Sequence, residues 1–186
     1  MSSPALHAGN LPNLRLSDQM IDTLWKSRTP GFPAVVFDGP KGGKVIDHKD
    51  FMHGAALVAI VDSGMFTALN RASVKYGHYV VNHDRHLFIK YNDGKGPGDY
   101  FFTFSGEDKK RITSEAASLV FAVLVCGNEV VTGIAREELS QLITLTASAA
   151  STVKVSVQQG RQIRISGPNG KLPLISRRSF PTRILE

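Results

Sequence analysis

The stretch that best defines the fold is residues 76–91, which read YGHYVVNHDRHLFIKY. Apolar and aromatic residues dominate both ends, whereas residues 82–85 in the middle are polar and have the composition of a turn. Two β-type runs on either side of a polar turn indicate a β-hairpin. We therefore predict strands over residues 76–81 and 87–91, joined by a turn at residues 82–85.

Helical patterns flank this hairpin on both sides. The spacing of apolar residues predicts helices over residues 47–72, 107–117 and 136–145. Ser105, followed three residues later by Asp108, resembles a capping pair at the start of the second of these helices. Further strands are predicted over residues 32–37, 100–104, 119–126, 129–134, 152–158 and 162–166, and a further helix over residues 18–26.

The order of these elements predicts an α+β fold with a mainly antiparallel sheet flanked by helices, and with a basic C-terminal hairpin and tail. The two β-rich blocks either share one sheet or leave the last hairpin as a satellite. We divide the chain into a flexible leader over residues 1–13, an α+β core over residues 14–150, and a basic β-hairpin and tail over residues 151–186 that packs on the core.

The net charge of the chain is concentrated at its C-terminal end. The whole chain carries a formal charge of +6, and residues 1–153 hold equal numbers of basic and acidic residues. The excess positive charge of residues 154–186 favours an acidic partner. We expect this segment to bind the phosphates of DNA or RNA, with an acidic protein partner and a merely solubilising surface as alternatives. The basic residues concerned are Lys154, Arg161, Arg164, Lys171, Arg177, Arg178 and Arg183.

The aromatic run at residues 100–104, YFFTF, has two interpretations. Aromatic side chains exposed on a sheet can stack on nucleic-acid bases. A strand that is covered on both faces also has a nearly continuous apolar sequence. Because the pattern typical of RNA-recognition motifs is absent, we favour the covered core strand.

The turn of the central hairpin holds the densest set of ligand-type side chains. His83, Asp84 and His86 have the residue types of a divalent-metal site or of a general acid–base pair, and His53 is the best candidate for a further ligand. We favour a solvated β-turn and expect no cofactor, because neighbouring strand residues point to opposite faces. The alternative is a metal-dependent hydrolase or nuclease centred on this turn, with a divalent metal as its cofactor.

The same hairpin resembles that of nucleases with the restriction-endonuclease-like fold. In that family one strand carries an acid and the next an acid-x-Lys motif, in which the carboxylates hold Mg²⁺ and the lysine orients water. Here Asp84 precedes a strand that ends in Phe88-Ile89-Lys90, and the order of a helix, three strands and another helix is also similar. Since Phe88 stands where the family has its second acid, the resemblance implies the fold without the catalysis.

Composition excludes several other classes of protein. The longest apolar run, residues 116–126, is about half the roughly 20 residues that a membrane-spanning helix needs. The single cysteine, Cys126, lies in that run, so we expect a buried, inert thiol and a reducing compartment. No catalytic motif is evident. The sequence therefore favours a cytoplasmic, non-enzymatic binding protein of bacterial or phage type.

Overall fold

The computed structural model of the protein describes residues 47–73, 75, 77–94, 98–115, 119–157 and 162–186. The predicted leader, the helix over residues 18–26, the strand over residues 32–37 and Arg161 lie outside the described residues.

Within these residues the chain forms four helices and ten strands. The helices are α1 (His48–Asp62), α2 (Gly106–Ser114), α3 (Arg136–Leu142) and α4 (Thr182–Leu185). The strands are β1 (Leu69–Ser73), β2 (His78–Val81), β3 (Arg85–Asn92), β4 (Asp99–Phe104), β5 (Leu119–Cys126), β6 (Val130–Ala135), β7 (Ser151–Val157), β8 (Gln162–Gly167), β9 (Gly170–Lys171) and β10 (Ile175–Ser176).

The first sheet has the strand order β1-β2-β3-β5-β6. The pairs β1–β2, β2–β3 and β5–β6 are antiparallel, whereas β3 and β5 run parallel over eight residues each. A parallel pair needs a long crossover connection, and here that connection contains β4 and α2. The predicted α+β class with mainly antiparallel strands is confirmed, and the parallel pair makes this sheet mixed.

The second sheet has the strand order β10-β8-β7-β4, with β9 paired to β8. The C-terminal hairpin β7–β8 therefore pairs with β4, a strand from the middle of the chain. Phe102 lies opposite Val153, and Val155 lies opposite Ile165. These four side chains are buried, so one face of the second sheet belongs to the core.

Strand β5 separates two apolar clusters because its two faces are both covered. Val120, Ala122 and Leu124 belong to the cluster shared with the second sheet. Phe121 and Val123 point the other way, into the cluster that α1 covers. Continuous apolar sequence is typical of a strand with no solvent-facing side, which explains the uninterrupted run in this segment.

Helix α1 is shorter than predicted, because it ends at Asp62 and residues 69–73 form strand β1 instead. Gly64 takes a left-handed conformation, with φ of +68°, which ends the helix and costs little in a glycine. The side chain of Asn82 then holds the following segment, since it accepts from Thr67 N at 2.7 Å and donates to Met65 O at 3.1 Å. Met65 and Phe66 therefore lie in a connecting segment between α1 and β1.

Helix α2 begins with the capping pair that the sequence predicts. Asp108 N donates to Ser105 Oγ at 3.1 Å, and Ser105 N donates to Asp108 Oδ2 at 2.8 Å. The next residue, Lys109, is fully buried. Its Nζ donates to Thr144 O at 3.2 Å, to Ala149 O at 2.6 Å and to Ser151 Oγ at 3.1 Å. Since an ammonium group has three hydrogens, all its donors are used to hold the segment before β7.

Cys126 is a buried free cysteine, as expected. Burial raises the pKa of its thiol to about 12, so the thiol is protonated and unreactive at neutral pH. Among the described helices, none combines the length and the apolarity needed to cross a bilayer.

Candidate functional site

The outer face of the second sheet carries a set of basic and aromatic side chains. In β4, burial alternates along the strand, with Tyr100, Phe102 and Phe104 inside and Phe101 and Thr103 exposed. The interpretation of β4 as a strand covered on both faces is therefore wrong. Only its inward face, with Tyr100, Phe102 and Phe104, packs into the core.

Strand register places three basic residues on that outward face. Phe101 lies opposite Lys154, Lys154 opposite Ser166, and Ser166 opposite Lys171. Arg164 belongs to the same face because it precedes Ser166 by two residues. We call Phe101, Lys154, Arg164 and Lys171 the basic sheet face.

Lys154 contacts both the Phe101 ring and the carboxylate of Asp99, an acid on the same side of β4 as Phe101. Its Nζ lies 5.6 Å from the Phe101 ring centroid and 2.9 Å from Asp99 Oδ2. Hydrogen bonds from Lys154 and then from Ser156 lower the pKa of Asp99. Arg164 and Lys171 are exposed, and no described residue forms a side-chain hydrogen bond or ion pair with them. The face therefore presents a net positive charge.

Two of the other basic residues have structural contacts instead. Arg177 Nη2 donates to Glu129 O at 3.0 Å, and Arg183 pairs with Glu138 of α3. Arg178 is exposed. The basic residues near the C-terminus therefore have different surroundings. Some lie on the basic sheet face, whereas Arg177 and Arg183 attach the C-terminal segment to the rest of the protein.

The predicted trio at the hairpin turn is not brought together as one site. His83 is exposed and has a positive φ of 69° in the turn. Asp84 accepts two hydrogen bonds from Arg85 Nη1, at 2.8 and 3.0 Å. Of the three, the described residues place only His86 in a cluster with ligand-type neighbours.

His86 belongs to a cluster with His78 and Glu115 instead. His78 is on β2, diagonally across from His86 on β3, because Val80 lies directly opposite His86. His78 Nε2 lies 2.9 Å from His86 Nδ1, and His86 Nδ1 lies 3.3 Å from Glu115 Oε2. Glu115 follows the last residue of α2. We call these three residues the histidine cluster.

The histidine cluster has the donor set and the spacing of a divalent-metal site. Its three ligand atoms lie within 4.8 Å of one another, and the edges of a tetrahedral zinc site are about 3.3 Å when Zn–N is about 2.0–2.1 Å. The ring of His78 stacks on Phe88, with centroids 4.3 Å apart. Burial, and then the neighbouring His86, lower the pKa of His78. A neutral imidazole is the form that binds a metal.

His53, the further candidate ligand, lies apart from this cluster. It is 1% exposed and packs edge-on against Tyr79, with ring centroids 6.1 Å apart. Neither ring nitrogen has a hydrogen-bond partner among the described residues. Burial, and then the charge of Lys49, lower the pKa of His53 to about 4.

This pKa makes the stability of the protein depend on pH. Because His53 binds a proton more weakly when folded than when unfolded, acid favours the unfolded state between pH 6.5 and about 4. We expect the His53 contribution to lower the free energy of unfolding by about 2 kcal/mol on going from pH 7.5 to pH 5.0. Urea denaturation at the two pH values measures this loss.

The matched variants are His53→Gln and His83→Gln. The first removes the titrating group from the core, so the difference between the two pH values should shrink by the stated amount. The second removes an exposed histidine and should leave the difference unchanged. An equal pH dependence in the wild type and in His53→Gln contradicts this account.

Comparison with known protein families, with curated proteins and with solved structures finds no match to this chain. Function is therefore argued from the basic sheet face and from the histidine cluster themselves.

Proposed function

We propose that the protein binds single-stranded nucleic acid through the basic sheet face. The observation that carries the proposal is the strand register, which aligns Phe101, Lys154 and Lys171 across the outward face of one sheet. Cations in such a row can contact successive phosphates. An exposed aromatic ring among them can stack on a base. The combination favours single-stranded nucleic acid, because its bases are unpaired and can stack on the ring.

Charge on the face supports this partner. Among the described residues of the outward face, Asp99 is the one acid, and Lys154 neutralises it at 2.9 Å. Phe101 is 44% exposed, so a base can reach its ring. Single-strand binders combine a cationic surface of this kind with exposed aromatic side chains. The proposed function is binding rather than catalysis, and the unpaired Cys126 fits a reducing, cytoplasmic compartment.

Fluorescence anisotropy with a labelled single-stranded oligonucleotide tests the proposal. Two phosphate contacts, by Arg164 and Lys171, predict a slope of log K against log salt of about −1.4, which is a loss of roughly sevenfold between 50 and 200 mM salt. Arg164→Ala should reduce the magnitude of the slope by about 0.7. Lys110→Ala, which removes an exposed lysine of α2, should leave it unchanged.

Two results would contradict the proposal. One is the absence of binding at 50 mM salt. The other is equal competition by polyglutamate and by unlabelled oligonucleotide, which would favour the acidic protein partner. Since polyglutamate has charges but no bases to stack, the proposed surface should prefer the oligonucleotide.

The histidine cluster favours a second candidate function, the binding of a divalent metal ion. His78 and His86 would supply two nitrogen ligands and Glu115 an oxygen ligand, which is the donor set of catalytic zinc sites that keep one position for water. Such an ion would lower the pKa of its bound water and could support hydrolysis. This candidate shares only His86 with the predicted site at the turn, since its other ligands are His78 of β2 and Glu115 after α2.

The restriction-endonuclease-like likeness does not support this candidate. Four strands, β1–β4, lie between the helices α1 and α2, whereas the likeness implies three. Phe88 is buried in the core, and Lys90 pairs with Asp108 at 3.0 Å. We therefore do not propose the family's Mg²⁺ chemistry at Asp84 and Lys90.

Thermal unfolding with and without Zn²⁺ tests the metal site. Zinc at about 100 times its Kd should stabilise the fold by about 2.7 kcal/mol, which raises Tm by roughly 5–10 °C for a chain of this size. His78→Ala should remove the shift because it deletes one of three ligands, whereas His83→Ala should keep it. A shift that survives His78→Ala, or no shift in the wild type, would exclude the site.

A further inference from the structure

A cavity of about 230 Å³ lies between the start of α1, the segment before β2, and the strands β3 and β4. It is separate from the histidine cluster, because none of that cluster's residues lines it. Lys49, Lys75 and Lys90 line the cavity, together with His53 and Asp108. It meets the basic sheet face only at Phe101.

The buried polar group of the cavity is His53. It is 1% exposed, it lines the cavity, and no described residue forms a hydrogen bond with either of its ring nitrogens. Buried polar atoms without a partner are uncommon because each costs free energy. A ligand in the cavity could supply the missing partner.

The local backbone makes room for this histidine. Gly77 has a φ of +58°, and a Cβ at this position would lie 2.4 Å from His53 Cε1 and 2.7 Å from Ile89 O. Only glycine therefore fits next to the ring. Tyr79 contacts the ring edge-on. The chain thus holds an unsatisfied imidazole in place at the wall of a cavity.

The charge and the size of the cavity indicate the class of ligand. Lys90 is paired with Asp108 at 3.0 Å, and Lys49 Nζ donates to Lys75 O at 3.2 Å. No described carboxylate pairs with Lys49, so its positive charge favours an anion in the cavity. The volume is below the roughly 300–1,000 Å³ of pockets for drug-sized ligands, so a small anionic group fits better than a large organic molecule.

We propose that this cavity binds a phosphate group, with His53 as a neutral hydrogen-bond donor and Lys49 as the cationic partner of the phosphate. A phosphate oxygen has lone pairs for an imidazole N–H and for ammonium groups. The phosphate can belong to a small molecule or to the end of a nucleic-acid strand that runs over Phe101. The site does not depend on the proposed function, because it needs no contact on the basic sheet face.

Calorimetric titration with inorganic phosphate tests the cavity. We expect saturable binding by the wild type, and a loss of at least about tenfold in affinity in Lys49→Ala and in His53→Leu, because each removes a hydrogen-bond donor to the anion. Lys110→Ala is the matched surface control and should bind as the wild type does. Lys49 is at the surface, so its variant keeps the test valid even if His53→Leu unfolds.

A pair of oligonucleotides with and without a 5′-phosphate distinguishes the two sources of the ligand. Tighter binding of the phosphorylated oligonucleotide, lost in Lys49→Ala, supports the cavity as a strand-end site. Equal binding of both, with phosphate binding intact, supports it as a site for a small molecule. In both cases Arg164→Ala should weaken oligonucleotide binding without affecting inorganic phosphate, which separates the cavity from the sheet face.

Two results would overturn the proposal. The first is the absence of saturable phosphate binding together with equal affinity for the two oligonucleotides. The second is phosphate binding that neither Lys49→Ala nor His53→Leu weakens, since the anion would then be held elsewhere.

Discussion

Replacing Lys109 with methionine is expected to lower the free energy of unfolding by about 3 kcal/mol. Methionine keeps most of the buried stem but has no ammonium group. The acceptors Thr144 O, Ala149 O and Ser151 Oγ would therefore lose their common donor. The segment between α3 and β7 would lose its attachment to α2, so we expect local loosening as well as global destabilisation.

Urea denaturation of Lys109→Met and Lys110→Met measures this effect. The two lysines are neighbours on α2, but Lys109 is fully buried and Lys110 is exposed. Surface substitutions usually change stability by less than about 0.5 kcal/mol, so the control should unfold like the wild type. Equal stability of the two variants would show that the buried ammonium group does not organise this segment.

Reversing two charges on the basic sheet face should nearly abolish nucleic-acid binding. At 0.1 M salt each phosphate contact contributes about 0.7 log units of affinity, and a reversed charge adds repulsion of similar size. We therefore expect Arg164→Glu combined with Lys171→Glu to weaken binding by about a hundredfold or more. Both side chains are exposed and no described residue pairs with them, so the fold should be retained.

The matched control is Lys110→Glu combined with Arg178→Glu. It changes the net charge by the same amount but leaves the basic sheet face intact. Anisotropy at one salt concentration compares the two double variants directly. If both lose affinity equally, overall charge and not the sheet face governs binding.

Local sequence signals account for much of the fold. The hairpin at residues 76–91 and the strands on either side of Gly127-Asn128 agree with their predicted positions within a few residues. The cap at Ser105 also forms as predicted. In each case the signal is contained in a short segment: a polar turn, a run of β-formers or a capping pair.

The sheet arrangement depends on contacts that no local signal reports. The parallel pairing of β3 with β5 and the pairing of β4 with the C-terminal hairpin join segments far apart in the sequence. Burial of β4 illustrates the consequence. Its aromatic sequence is compatible with burial of both faces of the strand. In the second sheet, however, only the face with Tyr100, Phe102 and Phe104 packs into the core, and Phe101 is exposed.

The candidate sites show the same division. Charge asymmetry directs attention to the C-terminal segment, but Arg177 contacts Glu129 in the turn before β6 and Arg183 pairs with Glu138 of α3, which sequence spacing does not reveal. His86 could be singled out from sequence, whereas His78 requires the hairpin register. Glu115 requires the position of α2 relative to the sheet.

The most direct test of the central claim is an NMR titration of the ¹⁵N-labelled protein with a short single-stranded oligonucleotide. Binding at the basic sheet face predicts that the shifted amides belong to residues 99–103, 152–156 and 162–171, with the Phe101 ring protons among the largest changes. Shifts confined to other parts of the chain, or an unchanged spectrum at low salt, would contradict nucleic-acid binding at this sheet.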